Sequence, residues 1–554
     1  MEKVNGIAQP NGEKLFNFRP LLFVAVFMAM GVVFSFFHIF QDFSGVWLIA
    51  LLPLAAVPAL FSFPLYRWRT ILLAIVLLCF SFFVGAFGFG MRIDRYADVT
   101  AKGECDFSGR VVEIWEGSET VGVVLDDITI EGKPHKYKLI AYLPASFSEK
   151  LQLSDELFIH GNIQKRNYDA DEFSVQAKNF GREIFLTASV EEVERSGHRF
   201  ELFLFLNARA KTVIDAGMDE MPAAVTKAVL LGDTSGIEEG LYENIRRGGI
   251  AHIFAVSGLH VGALFGVCLL ALKKTPLRRL SAWVHFTLMI SILFIYAGIC
   301  AFSPSVVRAT VICIVAYLGV LLQVKTDFLQ SLGVAAASIM LFDPSTLFTV
   351  GFQLSFAACF GIARLSKPIG QVFDELAKLY RKRFPKPLTE AEVEVIKNGD
   401  TLSPSIPARI YRACASFLAT SIAAQIFTAP LLLIYFGYIS GWALLLNCFF
   451  VPFIGVIFSL LLLLVGVACV LPMFTKVFLY LPNLIWSAVL LLFELADFTK
   501  FSIEGISISV PLIALYLTST LFFTDKWNIK KSVRWILGGV CIFAFGVGMV
   551  ALNV

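Results

Sequence analysis

Residues 230–272 read LLGDTSGIEEGLYENIRRGGIAHIFAVSGLHVGALFGVCLLAL, a charged approach that passes directly into an apolar run of membrane-spanning length. Ser235 followed by Glu238 has the spacing of a capping box, so the pattern predicts a short helix starting there. Gly248 and Gly249 would stop it, with Arg246 and Arg247 in its last turn, where cations suit the helix dipole. Such a helix is amphipathic and belongs at an interface. The next run, Ile250 to Leu272, is long enough to cross a bilayer, yet it carries His252, Ser257, Gly258 and His260. Hydrocarbon does not solvate such groups, so they are expected to face protein or water.

Composition agrees with that setting. Hydrophobic residues make up 57% of the 554, mean hydropathy is +0.74 and charged residues supply only 16%, which excludes an ordinary soluble domain. A net charge of +3 is silent about partners until the charges are sorted by compartment. Of the ten cysteines only Cys105 lies in the large polar segment, and no C-x-x-C pair occurs. The thiols therefore read as buried small hydrophobes, not as disulfides or zinc ligands.

Three motifs carry a resemblance: LLGD at 230–233 with HIFAVSGLHV at 252–261, SPSVVRAT at 303–310, and DPSTLFTVGFQLSF at 343–356. Together with the order of segments they resemble the ComEC family of bacterial competence proteins, and the likeness runs along nearly the whole chain. It implies an inner-membrane channel that passes single-stranded DNA into the cytoplasm during natural transformation. It also implies an external DNA-receptor protein. Many members carry a metallo-β-lactamase-like domain after the last helix. This sequence ends at Val554, and its histidines, at 38, 135, 160, 198, 252, 260 and 285, form no H-x-H-x-D-H cluster, so strand degradation is expected from a separate nuclease. No G-x-x-x-x-G-K-[ST] loop occurs either, which assigns ATP use to a cytoplasmic motor or DNA-handling partner.

The expected fold class is a polytopic α-helical membrane protein with an inserted extracytoplasmic small β-barrel. Residues 1–91 read as a three-helix anchor with spans at Pro20–Phe37, Val46–Phe61 and Thr70–Phe87. The basic loop at Arg67 and Arg69 puts the N-terminus in the cytoplasm and residue 92 outside. From 92 to 199 the pattern alternates in short runs: 107–114, 121–130, 137–143, 156–163 and 183–190, a strand period. Five short strands fit an OB-like barrel, and the family resemblance implies one here. OB-folds bind single strands through basic grooves and stacking aromatics, yet this segment holds 14 Lys and Arg against 20 Asp and Glu. That balance favours a structural cap or gate, with Tyr137, Tyr142 and Lys136 as a possible local patch.

Residues 200–554 read as the helical channel domain. Phe200 to Phe205 is too short to span and should lie along the outer surface. Further spans are expected at 250–272, 282–301, 305–323, 328–342, 347–363, 413–435, 442–469, 477–493, 508–523 and 535–552. With the anchor, the total is about thirteen spans of roughly 20 residues. Basic loops at Lys273–Arg279 and Asp525–Lys531, and a cytoplasmic loop at 366–407 with Arg381, Lys382, Arg383 and Lys386, leave the C-terminus outside. That loop is expected to meet lipid headgroups or a cytoplasmic partner.

A strand crossing a membrane needs its phosphates solvated along a wet path, so the candidates are the polar residues within or beside the spans. Arg308 could line a path or snorkel from near its helix end. Arg246 and Arg247 could draw a phosphate backbone or merely complement a helix end. Gln353, Ser355 and Gln425 could bond nucleotides or glue helices together. Asp233, His252, Ser257, Gly258 and His260 complete the set. Two other readings stay open. One is a membrane-embedded hydrolase using Ser257, His260 and Asp233, although A-V-S-G-L is not a G-x-S-x-G elbow. The other is a small-solute transporter. Zinc shared by His252 and His260 would need a helix break at Gly258, because eight residues of straight helix separate them by about 12 Å. No cofactor or metal is expected.

Overall fold

A computed structural model describes residues 20–40, 68–116, 120–144, 151–169, 172–198, 201–254, 256–274, 279, 281–323, 327–383, 406–495 and 502–504, with single positions at 512, 516, 540 and 541. Two long helices open it, α1 (Pro20–Phe40) and α2 (Trp68–Ala97). Their backbones touch: a Cβ on Gly31 would strike the Phe82 carbonyl, and one on Gly85 the Met28 carbonyl. Small residues permit this approach, which supplies the van der Waals contact that holds helices together where lipid removes the hydrophobic drive. The expected span at 46–61 lies outside the described residues. Helix α2 runs on to Ala97, past the expected boundary at Arg92, and carries Arg92 and Arg95 onto the β domain.

That domain is a small closed barrel built from all five expected strands. They are β1 (Gly103–Glu116), β2 (Thr120–Ile130), β4 (Lys138–Pro144), β5 (Asp155–Lys165) and β6 (Ile184–His198), with β3 (Lys133–Pro134) beside the β2 turn. Strand β1 pairs antiparallel with both β2 and β5, and β4 pairs parallel with β6, so the sheet has no free edge among these five. The alternation along β5 turns Leu157, Ile159 and Ile163 inward, as the strand period requires. The helix α3 (Phe173–Gly181) between β5 and β6 was not expected. Its spacing of Phe173, Ala177 and Phe180 places three buried side chains on one face. Of the residues in the anticipated patch, Tyr137 packs partly against the barrel core, and Tyr142 and Lys136 are exposed.

The remaining helices are α4 (Leu202–Gly217), α5 (Glu220–Leu231), α6 (Glu239–Arg247), α7 (Gly258–Lys274), α8 (Ala282–Ile299), α9 (Pro304–Leu321), α10 (Phe328–Phe342), α11 (Val350–Arg383), α12 (Ile406–Phe436), α13 (Ala443–Val470) and α14 (Thr475–Leu495). A short antiparallel ladder, β7 (Tyr438–Ser440) with β8 (Ser502–Glu504), was not expected. Six described helices are long and apolar enough to cross a membrane, namely α1, α2, α8, α12, α13 and α14, and α7, α9 and α10 are shorter apolar ones. The chain is a multi-pass membrane protein. Apart from the single positions 512, 516, 540 and 541, the expected spans at 508–523 and 535–552 lie outside the described residues.

Three local expectations change. The stretch 250–272 is not one helix: a 3-10 turn at Ala251–Ile253 ends at Phe254, and α7 starts only at Gly258. The capping box does not form, because the Ser235 hydroxyl and N–H both donate to Asp233 Oδ1, at 2.6 and 3.1 Å. That Asx-type turn competes with helix initiation, and α6 begins at Glu239. Helix α11 also continues through 366–383, so the first part of the expected inner loop is helix.

The helices pack in two groups. Helices α4 to α9, α13 and α14 share one core around Phe254, Phe458, Trp486 and Phe493. Helices α1, α10 and α11 share a second, around Met28, Ile339, Met340 and Phe352, which α12 joins through Ala423 and Phe427. Leu329 and Leu332 of α10, with Ile312 of α9 and Phe356 of α11, lie where the two groups meet.

Candidate functional site

The LLGD segment is a fixing point. Helix α5 ends on Gly232, whose φ of 80° is the left-handed conformation that glycine adopts without penalty. The Tyr296 hydroxyl donates to the Leu230 carbonyl at 3.1 Å, tying the segment to α8. Asp233 pairs with Lys211 of α4 and accepts from Ser235. Burial alone would raise its pKa, but Lys211 and the Ser235 hydrogen bonds outweigh that and hold the carboxyl at about 2.

Arg246 and Arg247 share one carboxylate: their Nε atoms lie 2.8 and 2.9 Å from the two oxygens of Glu243. Their combined charge toward a polyanion is halved by that partner. Helix α6 is tied down at the same end, with Asn244 donating to the Phe493 carbonyl at 2.8 Å and Tyr438 to the Arg246 carbonyl at 3.2 Å.

At the helix break His252 is exposed, Ser257 is half-buried and His260 is 0% exposed. The Ser257 N–H donates to His260 Nδ1 at 3.0 Å, with the Ser257 hydroxyl 3.4 Å from the same nitrogen. The imidazole thus caps the first turn of α7, a position where backbone N–H groups lack partners. It also fixes the tautomer, since Nδ1 accepts and Nε2 must carry the hydrogen. The ring lies 4.8 Å from that of Phe458. A serine nucleophile needs this lone pair for itself, and here the backbone holds it. The break that zinc required does occur, yet no group of three metal-ligating side chains is found among the described residues.

Ser305 donates to the Val256 carbonyl at 2.6 Å, so the break is fastened to the start of α9. One turn on, Arg308 is 4% exposed and lies against Phe356 of α11, 5.9 Å from the ring centroid, where the two helix groups meet. Its Nε and Nη1 are buried without hydrogen-bond partners. Arg308 is therefore not snorkelling from its helix end. An unmet buried donor costs about 1–3 kcal/mol, and more when charged. Gln353, one turn before Phe356, donates to the Leu347 carbonyl at 3.1 Å and accepts from the Tyr435 hydroxyl of α12 at 2.7 Å. Arg364 is also buried on α11, two turns past Phe356. Ser355 and Gln425 are half-buried.

The structure thus brings Ser257, Gly258, Arg308 and Gln353 along the start of α7, α9 and α11, and leaves Asp233 in the loop after α5 and Arg246 and Arg247 at the end of α6. A shallow apolar groove between α7 and α13, bounded by Val267, Leu462, Val467 and Val470, involves none of these side chains. Sequence reading missed Tyr435, Phe356 and Arg364. The i, i+4, i+8 spacing of Phe356, Phe360 and Arg364 was the available signal for the last two.

Over 155 residues the chain is 29% identical to ComE operon protein 3 of Bacillus subtilis, a stretch that covers 28% of this chain and 20% of that protein. Over 144 residues it is 29% identical to the uncharacterized protein MG316 homolog of Mycoplasma pneumoniae, covering 26% and 35% of the two chains. The matched parts thus span about a fifth and about a third of those relatives. No solved structure matches. The family model described as Competence protein matches residues 229–528, more than half of the chain and all three motifs that carry the ComEC resemblance. The chain belongs to the Competence protein family.

Proposed function

We propose that this protein is a channel of the bacterial cytoplasmic membrane that passes single-stranded DNA inward during DNA uptake. The observation that carries the reading is Arg308, a guanidinium buried between two helix groups with two donors unmet. Intramembrane charges mark pathways, and a phosphodiester supplies a pair of non-bridging oxygens that a planar guanidinium can bind bidentately. Ser257, Gly258 and His252 at the helix break, with Gln353, Ser355 and Gln425 on α11 and α12, would line the route on either side. His260 would hold the break open rather than touch the strand.

In this reading the N-terminus is cytoplasmic, and the barrel and C-terminus face outward. Asp233, Arg246 and Arg247 would form the entrance, and the basic end of α11 would face a cytoplasmic motor or DNA-binding protein. An external receptor would deliver DNA, and a separate nuclease would remove the other strand. The test is uptake of labelled DNA into a nuclease-protected compartment, comparing a deletion strain with the complemented strain. Loss of protected label with surface-bound DNA retained supports the channel; unchanged protected label in the deletion strain refutes it.

A further inference from the structure

The barrel carries an aromatic corner on its outer face. Trp115 of β1, Gly122 of β2 and Tyr142 of β4 are cross-strand neighbours in one row. A Cβ on Gly122 would overlap Cε2, Cζ2 and Nε1 of Trp115, with the ring-fusion carbon nearest, so the indole lies face-down on the glycine. Its other face looks outward. Tyr142 stands against it at 88°, with ring centroids 6.4 Å apart, and the two side chains are 38% and 39% exposed. The pair forms a floor and a wall, with the indole face held rigidly by β2.

The surroundings select the ligand. The same row continues from Tyr142 to Ser189 on β6 and Asn162 on β5. The adjacent row holds Glu113, Val124, Ile140, Thr187 and Gln164. Between Trp115 and Asn162, and between Glu113 and Gln164, the other hydrogen-bonding groups are uncharged hydroxyls and amides; Glu113 is held by Arg182 at 2.6 Å, and beyond Asn162 the first row meets a second carboxylate, the exposed Glu104. Phosphate contacts supply most of the affinity for a nucleic-acid strand, and neither row offers a free cation. The whole segment is acidic as well.

We propose that the Trp115–Tyr142 corner binds an uncharged pyranose oligosaccharide, which stacks a sugar face on the indole and bonds its hydroxyls to Ser189 and Thr187 on the strand beside Tyr142. The C–H bonds of a pyranose face are weakly positive and meet the negative face of the indole. OB-type barrels take oligosaccharides as well as oligonucleotides.

The experiment uses the full-length protein in lipid nanodiscs. Chitotetraose, cellotetraose and maltotetraose are the probes, followed by saturation-transfer NMR and calorimetry. At least one probe binds the wild type, binding weakens by about tenfold in Trp115→Ala, the size of one lost stacking contact, and Trp115→Phe retains most of it. Tyr142→Ala gives a smaller loss, and it decides the matter if Trp115→Ala fails to fold. Oligothymidylate does not compete. The proposal is overturned if no probe binds, if neither variant weakens binding, or if oligothymidylate is the ligand lost in Trp115→Ala. DNA internalisation is not the readout, so failure here leaves the channel reading untouched.

Discussion

Arg92 and Asp343, 251 residues apart, are bound to each other, and the same guanidinium nitrogen donates to the Gly181 carbonyl at 2.6 Å. Asp343 also caps the 3-10 turn after α10, accepting from the Ser345 N–H at 3.1 Å and the Thr346 hydroxyl at 2.8 Å. One ion pair therefore joins the anchor helix α2, the barrel helix α3 and the α10–α11 corner. Beneath it Phe36, Phe173 and Phe348 pack with ring centroids 4.6–5.3 Å apart.

Removing one partner strands the other in a partly buried site. Arg92→Ala or Asp343→Ala should destabilise the docked barrel by about 1–3 kcal/mol, below the full cost for a wholly buried pair. Amide exchange should rise selectively in 172–184 and 343–348. In a double-mutant cycle the combined variant should lose clearly less than the sum of the single losses; simple additivity would mean that the pair is not coupled.

Asp233 gives a pH dependence whose sign is fixed. Its pKa is about 2 in the fold against an ordinary 3.8, so its stabilising effect is present at neutral pH and above 3.8. It is lost as pH falls from 3.8 toward 2. Asp233→Asn should lower stability by about 1–2 kcal/mol at pH 7, allowing for partial exposure. The gap between variant and wild type in thermal unfolding should close as pH approaches about 2. A gap constant across that range would contradict the pairing with Lys211.

The contact of α1 with α2 depends on two glycines. Gly85→Leu should cost about 3 kcal/mol or more, since a side chain there meets the Met28 backbone, which cannot yield as a flexible side chain would. Thermal unfolding in detergent checks this, and wild-type stability in the variant would show that the helices do not touch.

At the helix break, Ser257→Ala should change DNA internalisation by less than about twofold, because the bond to His260 Nδ1 comes from the backbone N–H. His260→Ala should cost about 1–3 kcal/mol in lost cap and packing. His260→Asn, which keeps an acceptor, should lose less. Abolition of internalisation by Ser257→Ala at normal protein level would revive the nucleophile reading.

Much of this architecture is legible in the sequence where a local period carries it. The alternation in 107–190 gives five strands, and each apolar run from 250 to 493 overlaps one of the helices α7 to α14, although α7 starts eight residues late and α11 runs twenty residues on. What escaped depends on partners distant in the chain. Ser235 looks like a cap until Asp233 takes its hydrogen bonds. Ile250 to Leu272 looks like one span because most side chains about the break, Ala251, Ile253, Phe254 and Val256, are apolar. Arg308 is near a helix end by position, and only α11 packing on α9 shows that Phe356 closes over it. Trp115 and Tyr142 are 27 positions apart, and the β1–β2–β4 register alone makes them neighbours.

The central claim is that Arg308 faces the path of the strand, and replacing that charge tests it most directly. In a deletion strain complemented with Arg308→Gln at wild-type protein level, surface-bound DNA should be unchanged. Nuclease-protected DNA should fall about ten- to a hundredfold, the size of one charged hydrogen-bonding partner lost. Protected DNA at the wild-type level in that strain would contradict the account.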